Sequence, residues 1–349
     1  MNIKNTIFNG IMDIKDKFDV FIFDVYGVIW SGKEIYKNVP EIMKSLKDEG
    51  KRVYILSNGT QLASEWEKKY AKKDLIKGVH YDIAVTSGDV ARKFLLNSEL
   101  QFKNKKNPVN YYTVGTKNKS LFENTIYKEV NDAKDADFFY FGIPQLNEEQ
   151  AKAINSEDND KFFLSKMKED GSGKKYAITD TKIFKDELKK VFELGLPGLN
   201  VNPDIGAFKS DIENKATKYG LCQGALAQDY KNMGGEVFEI GKPHKLVFDY
   251  IFDLLEADGI NTDKNRIAMI GDTVRTDIRG GNEAGIKTVL TIGTGVTADK
   301  VQNNGNIDFE TLNEIYSKEN GVANYLIHSV AGKQSEKNLL LTMVNQADR

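Results

Sequence analysis

Cysteine is almost absent from this chain. Cys222 is the only one among 349 residues, so neither an internal disulfide nor a cysteine metal cluster is available. Histidine is nearly as scarce, and His80, His244 and His328 are too scattered to read as a histidine zinc site. No apolar run approaches the ~18 residues that mark a membrane-spanning helix. The opening stretch, MNIKNTIFNGIMDIKDKFD, lacks the long apolar core and cleavage site of a signal peptide. Neither charge is in excess: 49 Lys and Arg stand against 51 Asp and Glu, for a formal net charge of -2. That balance gives no reason to expect nucleic acid or an anionic membrane as a partner. The expectation is a soluble cytoplasmic protein.

Hydrophobic residues make up 40% of the sequence, enough for real cores, and the length exceeds one average domain. The organising stretch is DVFIFDVYGVIW, Asp19 to Trp30. Val20 to Phe23 reads as a buried strand of a parallel sheet, ending at Asp24, with Gly27 to turn the chain. Pro40 opens a helix whose inner face is Ile42, Met43 and Leu46, and Gly50 closes it. Arg52 to Leu56 is a second strand, followed by Ser57-Asn58-Gly59-Thr60. A helix then runs to about Lys72, Ile83 to Thr86 is a third strand, and another helix ends near Asn97. This alternation predicts an α/β fold, a doubly wound and mostly parallel Rossmann-like sheet.

The pattern then changes. QFKNKKNP, residues 101 to 108, reads as a linker. Val109 to Val114, Phe138 to Phe141 and Tyr176 to Thr179 read as strands of a new unit. Asn155 to Lys175 reads as a charged stretch with a Gly171-Ser172-Gly173 turn, and Leu194 to Pro203 as a loop. Asp211 to Tyr219 and Ala225 to Asn232 read as helices, before the break at Gly234-Gly235. The first pattern resumes at Val237. A helix follows Gly241-Lys242-Pro243 with Leu246, Val247, Tyr250, Ile251, Leu254 and Leu255 inward. Ile267 to Ile270 is a strand running into Gly271-Asp272-Thr273, Asp277 starts or precedes a short helix, and Lys287 to Ile292 is a further strand. The reading is therefore a core of residues 1–97 and 236–349, interrupted by a smaller α/β domain over 98–235. The apolar patch Leu339 to Val344 can dock on the core or on a second subunit, which leaves a homo-oligomer open.

Asp24, Ser57, Lys242, Asp272 and Asp277 all stand at strand ends or just before a helix. Ligands bind beyond the carboxyl ends of strands in open α/β sheets. Carboxylates suit Mg2+, a hard ion that prefers oxygen. Ser57 and nearby amides can bind phosphoryl oxygens, and a Lys ammonium can neutralise charge developing in transfer. Taken singly, each has a plainer reading: a helix cap for Asp24, Asp272 or Asp277, a turn hydroxyl for Ser57, a surface lysine for Lys242.

FIFDVYGVIW, YILSNGT, GKPHK and GDTVRTDIRGGNEAG resemble, in order and spacing, the four motifs of the haloacid dehalogenase-like hydrolases. The insertion resembles the class IIA cap of the 4-nitrophenylphosphatase and nucleotide phosphatase relatives. Asn202-Pro203-Asp204 and Gly224-Ala225-Leu226-Ala227 match signatures of that cap. The resemblance implies a Mg2+-dependent phosphatase of a small phosphorylated metabolite. It implies that Asp24 is the nucleophile, that Ser57 binds the phosphoryl group and that Lys242 anchors phosphate and nucleophile. Asp24, the carbonyl of Tyr26, Asp272 and Asp277 would hold or support Mg2+. Asn58 would shape the phosphate loop or contact substrate, Asn202 and Asp204 would lie over the cleft or merely cap a turn, and Gly59 and His244 would lie toward substrate.

Relatives with strong phosphatase activity usually carry a second Asp two residues after the nucleophile, as acid and base, while a branch of class IIA relatives resembles this chain in carrying an aromatic there. Here that position is Tyr26. A phenol, with a reference pKa of about 10, donates a proton but is a poor base near neutrality. Losing a general acid/base costs about 10²–10⁴ in rate. The expectation is therefore slow hydrolysis through an aspartyl phosphate on Asp24. The alternative is a phosphate-binding or regulatory protein with little turnover.

Overall fold

The computed structural model describes residues 7–97, 107–167, 173–260, 263–303 and 306–333. Most of the 101–108 linker, Gly171 and Ser172, and the 339–344 patch lie outside them. The chain forms two compact units. One draws on Met1–Ile55, Tyr70–Ile83 and Asn261–Arg349, the other on Leu56–Lys69 and Ala84–Ile260. Among the described residues no helix is long and apolar enough to cross a membrane.

The first sheet has seven strands. Their order is Ile7–Phe8, Tyr325–Ile327, Lys287–Thr291, Ile267–Gly271, Val20–Phe23, Arg52–Ser57, Ile83–Thr86. From Ile7–Phe8 through Arg52–Ser57 each neighbouring pair is parallel. All four residues of Val20–Phe23 are fully buried, as expected of a strand covered on both faces. Phe23 pairs with Ile270 on one side and Ile55 on the other. From Val20–Phe23 the chain moves outward to Arg52–Ser57 and Ile83–Thr86. It later returns to fill the opposite side from Ile267–Gly271. The direction of winding thus reverses between Val20–Phe23 and Ile267–Gly271, which places a topological switch point beside Asp24 and Asp272. The Rossmann-like core predicted from the strand order is present.

The two short strands at one end of this sheet order, Ile7–Phe8 and Tyr325–Ile327, were not expected. Ile7–Phe8 is followed by the 3-10 helix Ile11–Lys17. Tyr325–Ile327 lies near the end of the described residues. Only three residues long, it leaves no alternation to detect. The helix Phe309–Glu319 behind it is capped by Asp308, whose carboxylate accepts from the Glu310 and Thr311 amides.

The second unit holds a five-stranded sheet in the order Val237–Glu239, Gly198–Asn200, Phe138–Phe141, Val109–Val114, Tyr127–Glu129. All its neighbouring pairs are parallel. A smaller antiparallel sheet joins Gln145–Asn147, Lys174–Ile178 and Phe162–Met167, and Gly206–Asp211 pairs with Ala216–Leu221 in a hairpin. Phe139, Phe141, Leu188, Val191, Leu226 and Tyr230 pack in its core.

Five readings are corrected here. Asp211 to Tyr219 is a hairpin, not a helix. The Asp211 carboxylate accepts from the amides of Glu213 (3.1 Å) and Asn214 (3.3 Å), which draws the chain into a turn. Lys215 completes the turn at φ 51°. Leu194 to Pro203 contains the strand Gly198–Asn200. Its glycine signals close packing, since a Cβ there would stand 2.4 Å from the Phe141 ring. Asn155 to Lys175 contributes the strand Phe162–Met167, whose Phe163 and Leu164 are buried. The strand Val237–Glu239, read as a return to the first pattern, pairs in the second unit's sheet. The helix Lys245–Ala257 forms as expected, but its buried face is Val247, Phe248, Ile251 and Leu255, rotated from the predicted one.

Candidate active site

In the first unit the parallel register sets Asp24 beside the end of Ile267–Gly271, with the Asp24 amide donating to the Ile270 carbonyl at 2.8 Å. Asp24, Asp272 and Asp277 each bring a carboxylate oxygen within 4.8 Å of the others. All three are largely buried. The Asp272 carboxylate accepts from the Val296 amide (2.6 Å) and the Thr273 hydroxyl (3.0 Å). Asp277 accepts from the amides of Asp272 (3.2 Å) and Thr273 (3.1 Å), so it fixes the turn that carries Asp272.

Glycine makes room for this cluster. A Cβ on Gly27 would stand 2.4 Å from Asp272 Oδ2, and one on Gly295 only 2.1 Å from it. Both glycines also hold positive φ, 82° and 85°. The turn after Asp24 is tight: the amides of Ile29 and Trp30 converge on the Val25 carbonyl at 2.9 and 2.8 Å. Tyr26 is half-buried within it and forms an isolated bridge with Trp30.

Burial, reinforced by the charges of Asp24 and Asp277, pushes the Asp272 carboxyl well above the usual carboxylate range. Three crowded carboxylates are the donor set that a hard divalent cation relieves, and the cluster fits Mg2+ on that ground. Tyr36 was not singled out in the sequence. Burial and the charges of Asp272 and Asp299 push its phenol up to about 12, so it stays protonated in neutral solution. It lies in an irregular loop with no motif to draw notice.

The second unit gathers most of the remaining candidates. Ser57 ends its strand and is buried, its Oγ accepting from the Gly59 amide at 3.1 Å. Lys242 is 1% exposed, and its ammonium donates to the Leu56 carbonyl at 3.0 Å. Asn58 bonds to the Lys242 backbone and to Asp204. Asn202 Oδ1 accepts from the Asp204 amide at 3.0 Å, a turn of its own loop. His244 instead faces Glu239, with Nε2 to Oε2 at 3.2 Å. Burial raises the Glu239 carboxyl, but His244 and Lys231 outweigh it and draw it down to about 2. Cys222 is buried, and its thiol is pushed up by burial, so its environment does not activate it as a nucleophile.

Comparison with known proteins bears on this geometry. Residues 21–119 match the family model described as haloacid dehalogenase-like hydrolase, and residues 239–314 match the one described as HAD-hydrolase-like. The chain is 28% identical over 287 residues to phosphoglycolate phosphatase 1A, chloroplastic, of Arabidopsis thaliana, covering 81% of this chain and 70% of that one. Its fold is similar to that of a haloacid dehalogenase-like hydrolase from Brucella suis 1330, with TM-score 0.67 and 19% identity over 92% of this chain and 99% of the other. A possible sugar phosphatase from Cytophaga hutchinsonii is similar at TM-score 0.64 and 18% identity, over 94% and 99% of the two chains.

Proposed function

We infer that this chain, a member of the haloacid dehalogenase-like hydrolase superfamily, hydrolyses a small phosphate monoester through an aspartyl phosphate on Asp24. The observation that carries this reading is the buried trio Asp24, Asp272 and Asp277 at the switch point of the sheet. An Asp24 oxygen would bond to phosphorus while the bond from phosphorus to the leaving oxygen breaks. That oxygen then takes a proton, and water later releases phosphate from Asp24. Ser57 would hold phosphoryl oxygens and Lys242 would neutralise their charge. The core of 1–97 and 236–349, the inserted cap of 98–235 and a cytoplasmic setting belong to the same proposal. So does a substrate-side role for Gly59, Asn202 and His244.

Asp24 and Asp272, with the Tyr26 carbonyl and with Asp277 in support, would hold Mg2+. Bound there, the ion would supply positive charge to the phosphoryl oxygens and align them. Calorimetry should give Mg2+ binding to the wild-type protein and at least tenfold weaker binding to Asp272→Asn. Equal binding by both proteins would remove the ion from this site.

The name of the Arabidopsis relative makes phosphoglycolate one arm of a substrate screen, with sugar phosphates, nucleotides and 4-nitrophenyl phosphate as the others. Mg2+-dependent turnover of any of these, lost in Asp24→Asn, supports the enzyme. The second reading, a phosphate-binding protein, is favoured by Tyr26 standing where the resemblance expects an Asp. Saturable phosphate binding without turnover in the same screen would decide for it.

A further inference from the structure

We propose that Asn58 and Asp204 are positioning residues for Lys242 and do not bind substrate. The proposal rests on the phosphatase reading for the role of Lys242, but its geometry stands alone within the second unit. Asn58 is 3% exposed. Its Oδ1 accepts from the Lys242 amide at 2.7 Å, and its Nδ2 donates to the Lys242 carbonyl at 3.0 Å. One carboxamide thus grips both main-chain groups of one residue. It fixes where the Lys242 side chain begins, and the Leu56 carbonyl fixes where it ends.

The remaining capacity of the carboxamide is also used. Nδ2 donates its second proton to Asp204 Oδ1 at 2.9 Å, and Oδ1 takes a second bond from the Ser87 hydroxyl at 3.3 Å. An Asn side chain has two N–H donors and two acceptor lone pairs. All four have partners within the protein, the single Ser87 proton being shared with the Ser57 carbonyl at 3.4 Å, which leaves little capacity for substrate. Asp204 decides which way the amide faces. An ionised carboxylate only accepts, so it draws the NH2 group toward itself and leaves Oδ1 for the Lys242 amide. A reversed amide would set N–H against N–H at Lys242 and oxygen against oxygen at Asp204.

Asp204 is itself held. Its amide donates to Asn202 Oδ1, and its carbonyl accepts from the Gly224 amide at 3.1 Å. There is little slack around the lysine loop. A Cβ on Gly241 would stand 2.5 Å from Pro203 Cδ and 3.0 Å from Asn58 Oδ1. The Asn202-Pro203-Asp204 signature therefore acts on Lys242 through Asn58.

The test is amine acetylation of the whole protein, read residue by residue by mass spectrometry, alongside steady-state kinetics. Lys245, highly exposed and three residues on, serves as the internal reference. In the wild type Lys242 should be protected relative to Lys245. In Asn58→Ala and in Asp204→Ala that protection should fall at least tenfold, with Lys245 unchanged. If Asn58→Ala does not fold, every lysine will label together, and Asp204→Ala carries the decision. Asp204→Asn keeps an acceptor oxygen and should recover most of what Asp204→Ala loses. In kinetics the loss should appear in kcat, about 10²-fold for Asn58→Ala, as expected of a misplaced group, with KM moving little. Unchanged protection of Lys242 in both alanine variants overturns the proposal. So does a rise in KM alone with kcat intact, which would return both residues to the substrate. The labelling needs no turnover, so it stands or falls apart from the phosphatase reading.

Discussion

Asp24→Asn should lose at least about 10⁴ of the wild-type turnover while keeping the fold. The magnitude is that of removing a nucleophile on which the other catalytic groups depend. An amide of nearly the same shape cannot form the acyl phosphate. The main-chain bond from residue 24 to the Ile270 carbonyl does not depend on the side chain, so the strand end should stay in place. In metal-free buffer the melting temperature should be no lower than that of the wild type. Asp24 is one of the two negative charges that push Asp272 up, and the substitution removes it. A variant that melts normally and keeps a tenth of its turnover would take the nucleophile away from Asp24.

Tyr26→Asp should move activity in the opposite direction, raising turnover by up to about 10²–10⁴. The phenol can lend a proton to a leaving group but is too weak a base to activate water against the aspartyl phosphate. Tyr36 does not make up for this. Pushed up to about 12, it too is a donor and no base near neutrality. Wild-type hydrolysis should therefore depend on the leaving group, with an aryl phosphate turned over faster than an alkyl phosphate. The gain in Tyr26→Asp will shrink if loss of the half-buried ring leaves a gap that shifts Asp24. An unchanged or lower rate on an alkyl phosphate, in a variant that melts like the wild type, would mark Tyr26 as a wall of the pocket.

What the sequence disclosed follows from how local each cause is. Val20 to Phe23 and Ile267 to Ile270 are short, wholly apolar runs, and burial on both faces of a parallel sheet demands that composition. Asp24, Asp272 and Asp277 could be read because each closes or follows such a run. The grip of Asn58 on Lys242 could not. Its partners lie 146 and 184 residues away in the chain, and no periodicity encodes them. Tyr36 stayed hidden because its neighbours Asp272 and Asp299 come from the far end of the sequence. The hairpin at Gly206–Asp211 and Ala216–Leu221 misled because its charged residues resemble a solvated helix. The carboxylate of Asp211, one side chain, settles the turn.

The central claim is covalent catalysis by Asp24, and rapid-quench trapping of the phosphoenzyme tests it most directly. Wild-type protein mixed with Mg2+ and an activated aryl phosphate should be stopped in acid within the first turnover, digested and mapped. One phosphoryl group per chain should appear on the peptide containing Asp24, and it should accumulate because Tyr26 cannot activate the second step. It should be absent from Asp24→Asn and decay faster in Tyr26→Asp. Steady turnover with no phosphate on that peptide at any quench time would contradict the account.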